Sequence, residues 1–506
     1  MCFLVRNQSK LRILAVFAVV ASAGGCSTSN TEIHMADGGI DSQGEDLPLS
    51  SADEGGRDSS TDSGSLDLTW IDTFIDGDTG DAQKGTGGMD APVDTNRTES
   101  SIDAGLAETE QCGNGICGPG ETQANCCSDC GCGIGAVCNH TACIVPTGIA
   151  AGGFHSCLLL NDGTAACWGG NSYGELGNGS STLFGVPVPA AVAGMTGAVS
   201  ISAGATFTCA VLADRTVKCW GDNSTGQLGN GTEIASALPL PVLNLMGVTS
   251  LSTGYGYACA VVSGGTAKCW GDNSSGQLGD QSTTQSSIPV EVKGLTGIAE
   301  IAAGFNSTCA LLLDGTVKCW GDNSFGQLGI GTGTASPTPV QVLNIGSATG
   351  IFGFYSANPA FVSSDQDSTF CATLSDGSAE CWGSSALGAT GAGTDGLTQA
   401  RPIAVKGALG VLQIAGGQHF ACATTSSGVS CWGYNGSGQL GNGSSANLSN
   451  VPVQVSNLGS AVAVAAGIYH ACALLSDGSV QCWGSNTYDQ LGNENMRSSA
   501  VPVSLF

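Results

Sequence analysis

The chain has 506 residues, a formal net charge of −27 at pH 7, 79 glycines and 24 cysteines. So large an excess of acid repels a phosphate backbone, which excludes nucleic acid as an expected partner. The cysteine content favours a protein that folds in an oxidising compartment, where disulfides form and persist.

Residues 1–25 are predicted to be a signal peptide. Arg6, Lys10 and Arg12 precede an apolar run that extends from residue 13 to residue 23. A run of this length is too short for a permanent membrane-spanning helix but fits the apolar segment of an export signal. We therefore expect the protein to be exported and this segment to be removed.

The residues around Cys26, Ala-Gly-Gly-Cys, resemble the bacterial lipobox. The resemblance implies that Cys26 is diacylated, becomes the first residue of the mature protein and anchors it to a membrane. Ser27 rather than Asp after the cysteine implies sorting to the outer membrane or cell surface. The motif departs from the family at Ala23, where Leu is usual, and the Ala-Ser-Ala that ends there gives soluble secretion as the alternative.

Residues 26–111 are predicted to be an acidic linker that begins at the lipidated cysteine. Its residues 27–111 hold 20 of the 41 acidic residues and only three basic ones, in a background of Ser, Thr and Gly. Such a composition cannot bury a core, so we expect an extended, disordered tether. The cluster of Asp76, Asp78 and Asp81 lacks the ligand order of an EF-hand loop, which favours a solvated linker over a calcium site.

Residues 112–143 hold eight cysteines and predict a small disulfide-rich module. Eight cysteines allow roughly 100 pairings, and the sequence does not choose among them. The part up to Cys132 resembles the Cys-Gly-Asn-Gly modules of secreted bacterial proteins. Zinc would need reduced thiols, which export disfavours. Calcium bound by Asn114, Glu121 and Asp129 is the remaining cofactor hypothesis, and ordinary loop residues are its alternative.

Residues 144–506 contain seven copies of one pattern, each with a Cys-Trp-Gly. Successive tryptophans are 50 to 62 residues apart, which is typical of a repeat array. Each copy alternates apolar and small polar residues between Gly, Asp-Gly and Asn-Ser turns, and this pattern predicts short strands. The sequence therefore predicts an all-β, seven-bladed β-propeller. The repeated tryptophans are Trp168, Trp220, Trp270, Trp320, Trp382, Trp432 and Trp483.

Two cysteines flank the central turn of every copy. In six copies nine residues separate them, which fits a hairpin with a three-residue loop. That register places the cysteines opposite each other on antiparallel strands, within reach of a disulfide. Arg215 replaces the usual glycine in copy two and copy six is one residue shorter, so these two hairpins should differ locally. The predicted bridges are Cys157–Cys167, Cys209–Cys219, Cys259–Cys269, Cys309–Cys319, Cys371–Cys381, Cys422–Cys431 and Cys472–Cys482.

The two ends of the array suggest how the ring closes. A Val-Pro-Val strand such as the one at residues 451–455 precedes each internal copy, whereas the first copy follows Cys143 with no such strand. The chain ends in the same kind of strand, at residues 501–506. We therefore expect the C-terminal strand to complete blade one and to leave no open edge.

The repeated phrase Cys-Trp-Gly-x-Asn-x-x-Gly-Gln-Leu-Gly resembles the regulator of chromosome condensation repeat family, over roughly residues 144–506. Copy one has the near copy Gly-Glu-Leu-Gly, and copy five has lost the Gly-Gln-Leu-Gly motif. The resemblance implies a seven-bladed propeller. The motif residues are structural on physical grounds, because tryptophan buries a large area and the glycines permit tight turns. Other blades place Phe207, Tyr257 or Ser307 where blades one and seven have His155 and His470, so we expect these histidines to be packing residues. The repeated Trp-Gly-Asp-Asn-Ser is expected to form Asx-type turns rather than cation sites.

Resemblance to this family does not settle function. Its nuclear members exchange nucleotide on a small GTPase and bind chromatin, roles that do not fit an exported propeller segment with 19 acidic and 8 basic residues. Exported relatives, including a secreted inhibitor of β-lactamases, hold a protein on the ring face. We therefore expect a non-enzymatic scaffold that binds an unknown protein or surface ligand, without a catalytic or metal site. A polysaccharide-active enzyme and a purely structural envelope protein remain alternatives.

Copy five carries the candidate binding loop. About 12 extra residues lie within residues 346–370 and bring several aromatic side chains into a chain that is only 6% aromatic. Loops carry function more often than the scaffold does, so Phe352, Phe354, Tyr355 and Phe361 are candidate binding residues. The alternative is that the insertion only packs on a degenerate blade.

Overall fold

The computed structural model describes residues 137–138, 143–356, 367–394, 396, 398–494 and 497–505. Residues 146–504 of this part form seven four-stranded antiparallel sheets, each built from one continuous stretch of chain. The expected all-β, seven-bladed propeller is therefore confirmed. The predicted signal peptide, Cys26, the linker and almost all of the cysteine-rich module lie outside the described residues.

Each blade runs through four consecutive strands, and a separate pair of short strands precedes blade one. The strands are β1 (Val137–Cys138) and β2 (Cys143–Ile144); in blade one β3 (Pro146–Ala151), β4 (His155–Leu160), β5 (Ala165–Asn171) and β6 (Thr182–Ala191); in blade two β7 (Ala198–Ala203), β8 (Phe207–Leu212), β9 (Val217–Gly221) and β10 (Ser236–Pro241); in blade three β11 (Val248–Thr253), β12 (Tyr257–Val262), β13 (Thr266–Gly271) and β14 (Ser286–Glu291); in blade four β15 (Ile298–Ala303), β16 (Ser307–Leu312), β17 (Val317–Gly321) and β18 (Ser336–Gln341); in blade five β19 (Ala348–Ser356), β20 (Asp367–Leu374), β21 (Ala379–Ser384) and β22 (Thr398–Ala404); in blade six β23 (Val411–Gly417), β24 (Phe420–Thr425), β25 (Gly428–Tyr434) and β26 (Leu448–Gln454); in blade seven β27 (Ala461–Ala466), β28 (His470–Leu475), β29 (Val480–Gly484) and β30 (Ser499–Ser504).

The central hairpin of every blade has the register that the cysteine spacing predicts. In blade one Cys157 lies directly opposite Cys167, and all seven predicted pairs form disulfides within their own blade. Arg215 adopts a φ of 65°, so it takes the left-handed conformation that glycine supplies elsewhere. Blade six closes its shorter hairpin with a two-residue turn between Thr425 and Gly428. Both exceptional hairpins therefore keep their bridge.

The core of the ring lies between blades rather than within one blade. All seven repeated tryptophans are completely buried. Each disulfide lies in the same apolar cluster as the tryptophan of the following blade; in one such cluster Cys259 and Cys269 pack with Trp320. Because each cluster is shared by two blades, a blade completes its core only when its neighbour is in place.

The Gly-Gln-Leu-Gly motif fastens one blade to the next. The indole nitrogen of Trp270 donates a hydrogen bond to the carbonyl oxygen of Gln227 at 2.9 Å, and the other blades repeat this bond. At Gly229 an added Cβ would lie 2.9 Å from Cδ1 of Trp270, and φ is +65°. Only glycine lets this turn approach the indole ring of Trp270 so closely.

Blade five keeps this turn although its sequence motif is lost. Gly388 and Gly391 have φ values of 81° and 66°, which match those of Gly226 and Gly229. The carbonyl oxygen of Ala389 accepts the indole hydrogen bond at 2.9 Å. The loss in copy five therefore concerns side chains and not the backbone of the turn.

The expectation for ring closure is wrong. The C-terminal strand β30 pairs with β29 and completes blade seven, whereas blade one has its own fourth strand, β6. The Val-Pro-Val strand thus ends a blade instead of starting one. Proline cannot donate a hydrogen bond, which suits the outer edge of a sheet. The ring closes by the ordinary interface, in which Trp168 donates to the carbonyl oxygen of Gln490 at 2.9 Å.

Candidate functional site

The two ends of the ring differ in how their loops are built. At one end, which we call the loop face, the first strand of each blade turns into the second and the third strand leads to the fourth. At the other end, the hairpin face, lie the short turns between the second and third strands. Hydrogen bonds tie neighbouring turns of the loop face together, as from the Ile468 amide to the Gly153 carbonyl oxygen at 3.1 Å. The loop face is therefore a continuous, internally braced surface.

A side-chain pair locks the long loop of blades two, three and four. In blade two the Asp222 carboxylate accepts hydrogen bonds from the Ser224 amide at 3.1 Å and from Nε2 of Gln227 at 2.8 Å. Blades three and four repeat both bonds. The expectation of Asx-type turns is confirmed, because these carboxylates organise their own loops.

Blade one replaces both partners of this lock. Gly170 stands in the place of the Asp, and Glu175 stands in the place of the Gln. The Glu175 side chain is 4% exposed, and its Oε2 accepts a hydrogen bond from the Tyr173 amide at 2.7 Å. Burial raises the pKa of Glu175, and the backbone amides of its loop partly offset that rise. Blade one thus holds a buried carboxylate where Gln227 and its counterparts are neutral.

Aromatic side chains from different blades meet on the loop face. The rings of Tyr255 and Phe305 stack with centroids 4.3 Å apart, and Tyr355 meets the edge of Tyr255 at 6.0 Å. Phe154 and Tyr488 form a second pair at 4.8 Å. Three tyrosines keep a substantial part of their surface exposed: Tyr173 (49%), Tyr255 (37%) and Tyr488 (38%).

Two adjoining hollows lie among these rings. The larger, of about 340 Å³, lies over blades two and three and is lined by Asp222, Asp272 and Phe305 among others. The smaller, of about 230 Å³, is lined by Phe154, Glu175, Ile468 and Tyr488 among others; we call it the blade-one hollow. The two hollows share Tyr173, Thr206 and Tyr255. Together they are the candidate binding site.

The insertion of copy five lengthens the first hairpin of that blade at the loop face. The ladder between β19 and β20 continues for three pairs beyond Gly353, the position at which the corresponding ladder of blade four ends. Phe354 is 3% exposed and packs in the cluster that contains Trp432, with Phe352 partly buried against it. Phe361 lies outside the described residues.

Of the three candidate binding residues that the structure describes, Phe352, Phe354 and Tyr355, only Tyr355 therefore lies beside the aromatic cluster of the loop face. Burial raises the pKa of its hydroxyl group. Phe354 is a core residue of the interface between blades five and six, which corrects its assignment as a surface anchor. Phe354 therefore has the packing role that was the alternative to binding, and a binding role for Tyr355 remains a prediction.

His155 and His470 lie in blade interfaces, as expected. Each ring places Nε2 2.8 Å from a hydroxyl oxygen of the next blade, which belongs to Thr208 for His155 and to Ser156 for His470. Burial lowers the pKa of both histidines to about 3, so both are neutral at pH 7. A completely buried, neutral imidazole with a fixed partner is a packing residue.

The residue at the position of His155 and the residue that faces it from the next blade change together from blade to blade. Tyr257 occupies the position of His155, and its hydroxyl group lies 3.0 Å from Oγ1 of Thr308. Where the ring is Phe207 the facing residue is Ala258, and both lie in one apolar cluster. Polar rings thus meet hydroxyl groups and a phenyl ring meets alanine, so each polar ring has at least one hydrogen-bond partner in the next blade.

Within the part of the chain that the structure describes, no group of three or more His, Cys, Asp or Glu side chains is placed to hold a metal ion. Among the same residues, no helix has the length and apolar character needed to cross a membrane.

Comparison with known proteins identifies the repeat. Two models of the regulator of chromosome condensation (RCC1) repeat match the chain, one at residues 162–211, 217–261, 267–311, 314–352 and 428–474, the other at 147–175, 198–227, 248–277, 298–327 and 461–490. The molecule thus contains a seven-bladed propeller made from tandem repeats. Those repeats are RCC1 repeats, and the chain belongs with the proteins that carry them. Neither model matches residues 353–427, the stretch that includes most of blade five.

Solved structures share this fold. Human WBSCR16 aligns with a TM-score of 0.58 and 23% identity over 67% of this chain and 92% of its own. Yeast RCC1 (Prp20) in complex with Kap60 aligns with a TM-score of 0.58 and 20% identity over 67% and 83%. Prp20p from Saccharomyces cerevisiae, studied together with its binding to Gsp1p and histones, aligns with a TM-score of 0.58 and 21% identity over 67% and 85%. Identities this low establish the fold and leave the function open.

Proposed function

We propose that this protein is an exported, non-enzymatic scaffold that holds a protein partner on the loop face of its propeller. One observation carries the proposal. Three tyrosines from different blades, Tyr173, Tyr255 and Tyr488, expose their side chains around two hollows on the loop face, whose turns are hydrogen-bonded to one another. Aromatic side chains are enriched at the centres of protein interfaces, where they supply much of the binding energy. A fixed surface also loses little conformational entropy on binding.

The position of the disulfides supports action outside a reducing compartment. All fourteen bridged cysteines of the propeller are completely buried between blades. Disulfides at this density are typical of exported proteins. The predicted signal peptide and Cys26 point in the same direction and extend the proposal to attachment at the outer membrane or cell surface.

The hydrogen bonds of the larger hollow favour binding over catalysis. Asp222 and Asp272 both line it, and each carboxylate accepts hydrogen bonds from the Ser amide and the Gln side chain of its own loop. General acid and base catalysis needs a carboxyl group directed at the substrate with its pKa matched to proton transfer. These two groups instead hold their turns in place.

A relative offers an analogy at the level of the fold. Prp20p is described with Kap60, Gsp1p and histones as its binding partners. One relative that shares this fold therefore binds other proteins. The analogy supports a binding role without naming the partner of this chain.

The test compares two double variants of the full-length mature protein. Tyr173→Ala with Tyr255→Ala removes exposed rings from the loop face. Met246→Ala with Leu313→Ala removes side chains that are 75% and 79% exposed on the hairpin face, and is the matched control. Each protein is immobilised and used to capture proteins from the envelope fraction of its source cells, and thermal unfolding checks the fold.

We expect the parent and the hairpin-face variant to retain the same partner. The loop-face variant should bind that partner at least about 30-fold more weakly, the equivalent of about 2 kcal/mol at an interface hot spot. Equal capture by both variants, or loss of capture by the hairpin-face variant alone, would contradict the proposal.

A further inference from the structure

The blade-one hollow combines aromatic rings with a buried carboxylate. Four of its lining residues are aromatic: Phe154, Tyr173, Tyr255 and Tyr488. Glu175 lines it as well and is 4% exposed. Aromatic faces are electron-rich and attract cations, and a desolvated carboxylate attracts them over a short range. The two kinds of group favour the same sign of ligand charge.

The neighbouring charges have the same sign. Asp222 and Asp272 line the adjoining hollow, which shares Tyr173 and Tyr255 with this one. No lysine or arginine lines either hollow among the residues described. Among the residues described, the only ion pair within 4.0 Å joins Lys293 to Glu291, so none of their lysines or arginines pairs with Glu175. A positively charged group would find an uncompensated negative field there.

Blade one carries a carboxyl group where the loops of blades two, three and four carry an amide. A neutral glutamine occupies the Glu175 position as Gln227, Gln277 and Gln327, and a loop aspartate binds each of these through the amide nitrogen. Blade one has lost that aspartate, because Gly170 replaces it, and carries a carboxylate instead. Glu175 accepts a hydrogen bond from the Tyr173 amide but has no basic partner among the residues described. A buried charge that is not paired costs free energy, and proteins tolerate such costs chiefly at functional sites.

The size of the hollow indicates which cation it takes. Pockets that enclose drug-sized ligands measure roughly 300 to 1,000 Å³, and this one measures about 230 Å³. A hollow of this size accommodates the end of one side chain. We propose that the blade-one hollow receives a lysine or arginine side chain of the protein partner, with Glu175 as the counter-ion and the rings of Tyr173 and Tyr488 on either side. This inference rests on the proposed function, since it assigns the chemistry of the partner at the same face.

The test uses small probes and a substitution that the fold already accommodates. The probes are the N-acetyl methylamides of lysine and arginine, with that of norleucine as an uncharged analogue of lysine. Glu175→Gln restores the residue of the other blades, so folding should be preserved. Asp162→Asn removes one carboxylate from a hairpin-face turn, at a residue that is exposed, and is the control for net charge. Ligand-observed NMR titrations with the full-length protein give the dissociation constants.

We expect a basic probe to bind the parent at least about tenfold more tightly than the norleucine probe. Glu175→Gln should weaken that binding by at least about fivefold, whereas Asp162→Asn leaves it unchanged. Tyr173→Leu with Tyr488→Leu should also weaken it, because leucine keeps the apolar contact and removes the π face. Absence of binding by both basic probes, equal binding of norleucine, or an unaffected Glu175→Gln variant would overturn the inference.

The outcome is separable from that of the proposed function. If probes fail while the loop-face variant still loses its captured partner, the scaffold role stands and the cation site falls. If the basic probes bind through Glu175 while both double variants capture alike, the cation site stands and the scaffold role falls.

Discussion

The histidines of the blade interfaces couple the stability of the ring to pH. Burial lowers the pKa of His155 and His470 to about 3 in the folded protein, whereas an imidazole in an unfolded chain has a pKa of about 6.5. Between these two values the unfolded chain binds protons that the folded chain does not bind. The free energy of unfolding is therefore fully retained above pH 6.5 and falls as the pH drops from 6.5 towards 3.

A swap taken from another blade interface isolates this effect. His155→Phe with Thr208→Ala reproduces the pair that Phe207 and Ala258 form in the next interface. Between pH 7 and pH 5 each buried histidine should lower the free energy of unfolding by about 2 kcal/mol. The free energy of unfolding of the variant should therefore fall by about 2 kcal/mol less than that of the parent over this range. Urea unfolding at the two pH values measures the difference.

The control for this swap removes a hydroxyl pair without touching an imidazole. Tyr257→Phe with Thr308→Ala should leave the pH dependence of the parent intact. If His155→Phe with Thr208→Ala keeps the full pH dependence, the buried imidazole is not its source.

Single residues also show which part of the site the sequence could predict. Glu175 stands out in the sequence only as a near copy of a glutamine motif, and its importance lies in the simultaneous loss of the loop aspartate at Gly170. Reading the two positions together across the copies would have found it. The aromatic cluster could not be found in that way: Tyr173 and Tyr488 share one loop position, five residues after the tryptophan of their copies, but Tyr255 lies in a different turn, and the three residues meet only when the propeller is closed.

At the scale of elements, the hairpin register was predictable and the blade boundary was not. Cysteines nine residues apart around an Asp-Gly turn permit essentially one antiparallel register, which all six copies with that spacing adopt. A tandem repeat, by contrast, has no intrinsic first strand, so the Val-Pro-Val strand fits the start of one blade as well as the end of another. The prolines were the available signal, because they suit an outer edge strand such as β30.

The packing role of Phe354, in the long first hairpin of blade five, can be tested directly. Phe354 is 3% exposed and packs with Cys371, Cys381 and Trp432. Phe354→Ala should therefore lower the free energy of unfolding by about 3 to 5 kcal/mol, the usual cost of truncating a buried phenylalanine. Thermal and urea unfolding measure this cost.

Tyr355→Ala in the same hairpin is the matched control. It removes a half-buried ring whose edge contact with Tyr255 is worth about 0.5 to 1.5 kcal/mol beyond the area that the ring buries. A Phe354→Ala protein as stable as the parent but unable to bind its partner would return Phe354 to the role of a binding anchor.

Across the whole molecule, covalent and packing interactions reinforce the same interfaces. Each bridge closes a short hairpin, which is worth roughly 2 to 3 kcal/mol in the chain-entropy model. Because both sulfurs lie under the tryptophan of the next blade, a reductant reaches them only after two blades separate. The ring thus protects its bridges, and the bridges in turn keep each blade in the shape that its neighbour requires.

The attachment of this ring is the part that only the sequence addresses. The composition of residues 27–111, with 20 acidic side chains, predicts a disordered linker; a flexible chain of that length would have a root-mean-square reach of about 50 Å, which self-repulsion would extend. With a lipid at Cys26, such a linker would let the loop face search for a partner away from the membrane. Binding by the propeller and attachment at Cys26 would then be carried out by separate parts of one chain.

Cys26→Ser tests the anchor. A lipid chain holds a protein to a bilayer through the burial of its methylene groups, and several chains together give stable attachment. Serine in this position cannot receive the thioether-linked diacylglycerol, so we expect the variant to move from the membrane fraction to the soluble fraction. Cys2→Ser, which changes a cysteine inside the predicted signal peptide, should leave the partition unchanged. Because Cys26 lies outside the propeller, both variants should retain the thermal unfolding of the parent. A Cys26→Ser protein that still sediments with membranes would show that another part of the chain, or the bound partner, holds it there.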